Sequence, residues 1–294
     1  MAVTLIAALD DSPASLQAAR LLARYEGERE RLAIVALHVQ ARPLTLWPGP
    51  AIDQGKLDEA LLAQGERQLA PACAILADAG FAPERAVRLG VPSDAIAEEA
   101  MRRGAELIVM GTRGHGALGG FALGSVALRV AHRAQAPVLL VQPDTRLPQS
   151  AGRGLRVLVP LDGSSHAHRA VSFLLGARDW LGETQVDLAH VRAASSLWDL
   201  LLPAERSLID EWGSVEAEHA TRDARALLHV AGVPYRLHEA EGDAAHEIVR
   251  LARELASELI VMGTRGLGAV HHALIGSVAL KVAQASPVPM VLVP

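Results

Sequence analysis

The sequence predicts an α/β protein made of two copies of one doubly wound unit, each a parallel sheet with helices on both faces. Three observations lead there. The nine residues Glu106–Gly114 return unchanged at Glu258–Gly266, an offset of 152 that also carries Asp10 onto Asp162, His38 onto His190, Gly90 onto Gly242 and Pro137 onto Pro289. A constant offset over such a span marks a duplicated domain rather than a short-period solenoid. Short apolar runs alternate with longer helical patterns, as right-handed crossovers onto a parallel sheet require. The repeated nine residues themselves read as a strand buried on both faces that breaks into a glycine loop.

Taken in order, Val3–Leu9 is a buried-type strand, stopped by Asp10-Asp11-Ser12-Pro13. That group starts a helix running to about Tyr25, with proline at an early helical position. Leu32–Val39 is a second strand, and the prolines of Arg42–Pro50 mark a loop. A long helical pattern from Asp53 stops at Gly80, Arg85–Leu89 is a short third strand, and Pro92–Arg103 is a helix closed by Gly104. Leu107–Met110 is the fourth strand; Gly111, Gly114, Gly116, Gly119 and Gly120 follow it. Gly124-Ser125 opens a further helix, and Val138–Val141 is the last strand of this half. From Leu155 the same order repeats and ends on Met290–Val293. The boundaries are a first domain over 1–142, a linker over 143–154 and a second domain over 155–294.

Composition narrows the function. At 294 residues the chain suits two domains, and with 3% aromatics its core must be Ala, Val, Leu and Ile. Residues 1–150 hold 15 basic and 16 acidic side chains, and the rest hold 13 and 17, within a net charge of −5. Neither half is basic, so nucleic-acid binding lacks electrostatic support. Cys73 stands alone, which excludes an intrachain disulfide and suits a reducing compartment; its helical neighbours predict a buried thiol. The N-terminus lacks a signal-peptide pattern, and no apolar run reaches the ~18–20 residues that span a bilayer. The expectation is a soluble, cytoplasmic protein without a membrane partner.

In doubly wound sheets, ligands bind at the C-terminal ends of the strands, where strand order reverses. Two segments of each half converge there: the acid ending strand one, Asp10 or Asp162, and the glycine loop with its Gly-Ser helix start. Backbone N–H groups at a helix N-terminus hold phosphate, and a carboxylate opposite them suits ribose hydroxyls. An aspartate at such a turn is as readily a helix cap, and glycines serve any tight turn.

Gly111-x-x-Gly114, nine residues, then Gly124-Ser125 resembles the nucleotide-binding signature of the universal stress protein family, and Gly263-x-x-Gly266 with Gly276-Ser277 matches it again. The resemblance covers both halves. It implies a five-stranded parallel sheet of order 3-2-1-4-5 in each and a stress-response regulator that binds ATP. Carried over by position, the ATP residues are Asp10, Val39, Met110, Gly111, Arg113, Gly114, Gly124, Ser125 and Val126 in the first half. In the second they are Asp162, Val191, Met262, Gly263, Arg265, Gly266, Gly276, Ser277 and Val278.

The halves differ at Asp11, where the second has Gly163, which places a further negative charge near the first phosphate site. His271-His272 replaces Gly119-Gly120; a metal site there would need further ligands that the sequence does not offer. His38 and His190 read as shared strand packing close to the base pocket, and Trp47, Trp180, Trp198 and Trp212 follow no repeat. With one arginine per glycine loop and no Walker lysine, a bound triphosphate would need Mg²⁺. No Ser-His-Asp or Cys-His arrangement repeats, so a conformational ATP binder is favoured over an efficient hydrolase. The alternatives are a slow ATP hydrolase or nucleotidyl-transfer enzyme of the same fold, and a pure dimerisation module. Each fifth strand stands at a sheet edge in the family order, and an apolar edge invites pairing. The expectation is therefore an intrachain pseudo-dimer of the two domains through those strands, with association of whole chains into a homodimer left open.

Overall fold

The computed structural model describes residues 2–42, 53–114, 123–149, 154–193, 206–267 and 275–294, with 206–214 described by backbone alone. The chain divides into two compact units, Met1–Thr145 and Arg146–Pro294. In the first, β1 (Val3–Ala8), β2 (Leu32–Gln40), β3 (Glu84–Leu89), β4 (Leu107–Gly111) and β5 (Val138–Val141) alternate with α1 (Pro13–Ala23), α2 (Gln54–Asp78), α3 (Pro92–Arg103) and α4 (Ser125–Arg133). The strands lie in the order β3-β2-β1-β4-β5, all parallel, with Ile6 level with Val35 on one side and Ile108 on the other.

The second unit repeats this with β6 (Leu155–Leu161), β7 (Thr184–Arg192), β8 (Tyr235–Glu241), β9 (Leu259–Gly263) and β10 (Met290–Val293), in the order β8-β7-β6-β9-β10. Its helices are α5 (Ser165–Gly176), α6 (Arg178–Leu181), α7 (Arg206–Val230), α8 (Ala244–Glu254) and α9 (Ser277–Ala285). Both units thus have the expected 3-2-1-4-5 order. Strand order reverses between the first and fourth strands, which places a crevice at their C-terminal ends.

The local rules behind the elements are visible. The Ser12 hydroxyl accepts the Ser15 N–H to cap α1, with Pro13 as its first residue; Ser164 caps α5 through the Ala167 N–H. The capping residue is therefore the serine, and the aspartate two residues earlier is left for other work. Gly104 ends α3 in the left-handed conformation, at φ 60°. Both units fill their centres with aliphatic strand residues, among them Ile6, Leu37 and Ile108, then Leu158, Leu188 and Ile260, all fully buried. Truncating one such residue to alanine costs about 2–5 kcal/mol. Helix α1 turns Ala14, Ala18 and Ala19 inward, small side chains that let it lie close to the sheet.

The segment expected as a linker is held to its neighbours where it is described. The Gln17 amide donates to the Thr145 carbonyl at 2.9 Å within the first unit. The Arg146 N–H donates to Pro287 at 3.0 Å, and the Gln149 N–H to Glu258 Oε1 at 2.9 Å, within the second. This explains why Glu258 is buried while Glu106, its copy in the repeated nine residues, is exposed. Residues 150–153 lie outside the described residues.

Candidate functional site

At the C-terminal ends of β1, β2 and β4 lies a cavity of about 470 Å³. All nine residues expected in the first half line it: Asp10, Val39, Met110, Gly111, Arg113, Gly114, Gly124, Ser125 and Val126. The nine of the second half, Asp162, Val191, Met262, Gly263, Arg265, Gly266, Gly276, Ser277 and Val278, line an equivalent cavity of about 230 Å³. Small-molecule sites usually measure ~300–1,000 Å³, so the first is of ordinary size and the second is tighter.

Backbone donors form one wall of each cavity. Helices α4 and α9 begin at Gly124 and Gly276, and neither N-cap supplies a side-chain hydrogen bond. An α-helix leaves its first four N–H groups without intrahelical partners, and its dipole puts partial positive charge there. The first turns, Gly124–Ala127 and Gly276–Ala279, are themselves cavity lining. The loop is closed at its base by backbone bonds of 2.8 Å from Gly124 N–H to the Thr112 carbonyl and from Gly276 N–H to Thr264.

The glycines have separate reasons. A Cβ at Gly111 would stand 2.8 Å from Ala14 and the Ser15 nitrogen; at Gly263 it would meet His166 at 2.6 Å. These two let the fourth strand end against the start of the first helix, a packing duty beside their place in the lining. Gly114 and Gly266 face the carboxylates instead: a Cβ would come 3.3 Å from Asp10 Oδ2 and 2.3 Å from Asp162 Oδ2.

Each aspartate ties its own turn together. Asp10 Oδ1 accepts from the Ser12 N–H at 3.0 Å and from the Ser12 hydroxyl, which also lies 3.3 Å from the Arg113 carbonyl. Asp162 Oδ1 accepts from the Ser164 N–H at 3.0 Å, and its Oδ2 from the Leu267 N–H at 3.1 Å. Among the described lining residues each cavity has one carboxylate and one arginine. Arg265 Nε is buried without a hydrogen-bond partner. Nearby, burial pushes the His166 imidazole below its usual pKa; Arg169 and Arg265 add to this and Asp162 opposes it.

Asp11 is exposed and outside the lining, while its counterpart Gly163 takes φ 80°, so the two turns differ in backbone as well as charge. His38 and His190 both place Nδ1 against a carbonyl at the C-terminal end of the first strand of their unit, that of Leu9 just past β1 at 2.9 Å and that of Leu161 closing β6 at 3.0 Å, which is the shared packing expected of them. Trp180 packs in the core edge-on to Phe173. Residues 47, 115, 116, 119, 120, 198, 271 and 272 lie outside the described residues.

Sequence reasoning passed over Ser12, Ser15, Gln40, Gln68 and Thr112, all of which line the first cavity. The Thr112 hydroxyl is buried with no partner. Ser12 and Thr112 were available from the repeat, since Ser164 and Thr264 stand 152 residues later. Gln68 has no such copy; Ala220 takes its place. Among the described residues, no group of three or more His, Cys, Asp or Glu is placed to hold a metal, and no helix is long and apolar enough to cross a membrane.

The sequence model of the Universal stress protein family matches residues 1–142 and 155–294. A universal stress protein of Mycolicibacterium smegmatis is 28% identical over 294 residues, covering 96% of this chain and 94% of that one. One from Mycobacterium tuberculosis is 27% identical over 299 residues, covering 98% and 95%. Among solved structures, a universal stress protein of Archaeoglobus fulgidus superposes with a TM-score of 0.67 at 21% identity, covering 98% of this chain and 97% of that one. With two matched regions, each holding one glycine-loop cavity, this chain belongs to the universal stress protein family as a tandem of two of its units.

Proposed function

We propose that the protein is a nucleotide-dependent stress-response regulator that binds ATP at both glycine loops. The observation that carries this reading is the uncapped helix start lining each cavity, with a carboxylate across from it. Free N–H groups at a helix N-terminus are an anion site, and the carboxylate accepts hydrogen bonds from sugar hydroxyls. The buried, unpartnered Arg265 Nε supplies a further donor to the second site. The end of the second strand, at Val39 and Val191, receives the base.

Mg²⁺ fits this reading as a passenger of the triphosphate. Each described lining holds one carboxylate, too few to bind the ion from protein groups alone, so phosphate oxygens and water would complete its shell. When bound, it offsets charge that the single arginine of each loop leaves unbalanced. The role is regulatory: occupancy ties the glycine loop, the first-strand turn and the α4 or α9 start together. Mass analysis of the small molecules released by denaturing freshly purified protein should find ATP. Release of no nucleotide, together with no binding of added ATP, would refute the reading.

The edge position of each fifth strand also supports pairing of Val138–Val141 with Met290–Val293 as an intrachain pseudo-dimer. Paired cysteines introduced one per strand in a Cys73→Ser background should form an internal disulfide on mild oxidation. Failure of every register tried would refute that arrangement.

A further inference from the structure

Besides the Thr112 hydroxyl, a second buried polar group of the first cavity has no partner, and it stands apart from the glycine loop and the first-strand acid. Gln68 lines the cavity from α2, and its amide Oε1 is sealed from solvent with no hydrogen-bond partner. A buried acceptor left without a donor is destabilising, so its persistence in a cavity wall calls for an explanation.

The surroundings show how it is placed. Gly65 lies three residues earlier on the same helix face, and a Cβ there would stand 2.6 Å from Val87 Cγ1 and 3.0 Å from His38 Cδ2. The missing side chain lets α2 sit close on β2 and β3, which brings Gln68 to the strand ends. It joins Val39 and Gln40 in the wall of the cavity, at the end assigned to the base. The neighbouring amide is already occupied. His38 Nδ1 lies 2.9 Å from the Leu9 carbonyl and donates to it. The Gln40 amide oxygen stands 3.3 Å from His38 Nε2, so this carboxamide is engaged with the ring. Gln68 is thus the amide left to a ligand.

The second unit lacks the whole arrangement. Ala217 stands for Gly65, Ala220 for Gln68 and Arg192 for Gln40. Arg192 pairs with Glu241 at 2.6 Å, and Ala220 packs against the turn at Gly163. Neither Ala220 nor Arg192 lines the second cavity.

We infer that Gln68 is a specificity residue of the first site, selecting an adenine-type base by its exocyclic amine, and that the second site lacks this selection. The inference rests on the nucleotide reading above. A glutamine amide matches adenine edge-on, its oxygen accepting from N6–H and its NH₂ donating to N7. Guanine presents O6 at that position, an acceptor facing an acceptor, so it leaves the Gln68 oxygen unpaired.

The test uses the full chain with the second site disabled by Gly266→Val, and compares Gln68 with Gln68→Ala, which copies the second unit, and Gln68→Met, which keeps the volume. ATP and GTP affinities are measured by calorimetry, with folding followed by circular dichroism. The parent should favour ATP, and in both variants ATP should weaken about tenfold while GTP changes little. Unchanged ATP-over-GTP selectivity in either folded variant overturns the assignment of Gln68 while leaving nucleotide binding intact. A wild-type chain that binds no nucleotide at either site instead overturns the reading on which it rests.

Discussion

Asp162 lies across the second glycine loop, its Oδ2 accepting the Leu267 N–H at 3.1 Å while Oδ1 holds the Ser164 N–H at 3.0 Å. One carboxylate therefore links the turn after β6, the cap of α5 and the loop after β9. A sugar hydroxyl bound at this oxygen would share it with the Leu267 N–H, because a carboxylate oxygen accepts more than one hydrogen bond, and would so join ligand and loop at a single atom.

Removing the carboxylate tests that coupling. Hydrogen bonds to a charged group are worth about 1.5–3 kcal/mol, or roughly tenfold to a hundredfold in affinity. Asp162→Ala should weaken ATP at the second site by at least the lower figure, and Asp10→Ala should do the same at the first. Calorimetry resolves the two sites when the other is disabled. Unaltered affinity in a folded variant would show that the aspartates serve only their turns.

The glycines should separate into two classes. Gly114→Val with Gly266→Val pushes on the movable ends of Asp10 and Asp162, so the fold should survive while ATP binding is lost. Gly263→Ala meets the His166 backbone and Cβ, which have less room to give; urea unfolding should show a loss of about 1–3 kcal/mol. Equal loss of stability from both would contradict this division.

These two classes were not separable in the sequence. The repeated nine residues and the constant offset made the topology, the loop and the first-strand acid legible, because backbone close approach leaves glycine as its mark. They did not show that Gly111 and Gly263 serve helix packing, since that contact is with Ala14 in one unit and His166 in the other. Nor did they show that Ser12 rather than Asp10 caps α1, because either residue type caps helices. Gln68 was hidden for the opposite reason: a lone glutamine on a long helix carries no pattern, and only the geometry of Gly65 brings it to the cavity.

His166 gives a pH dependence with a definite sign. Its folded pKa is lowered, chiefly by burial, so the folded state disfavours the imidazolium. This group costs no stability above its unfolded pKa of ~6.5. As pH falls below that value the unfolded state binds the proton first, and stability declines until the folded pKa is passed. His166→Gln should flatten the stability profile in that acidic window, read by thermal melts. A profile indifferent to this substitution would contradict the assignment.

Cys73 should be inert in the native protein. Burial raises its thiol pKa, with Arg85 opposing, and the side chain is 7% exposed. A thiol-disulfide reagent at neutral pH should label it slowly in buffer and rapidly in denaturant. Fast native labelling would show that the helix face carrying it opens.

The central claim is that each unit provides one nucleotide site. Titration calorimetry of ATP with Mg²⁺ into nucleotide-stripped chain measures it most directly. The account predicts two ATP bound per chain, falling to one with Gly114→Val or Gly266→Val alone and to none with both. A folded, stripped chain that takes up no ATP, or a double variant that binds it as tightly as the wild type, would contradict it.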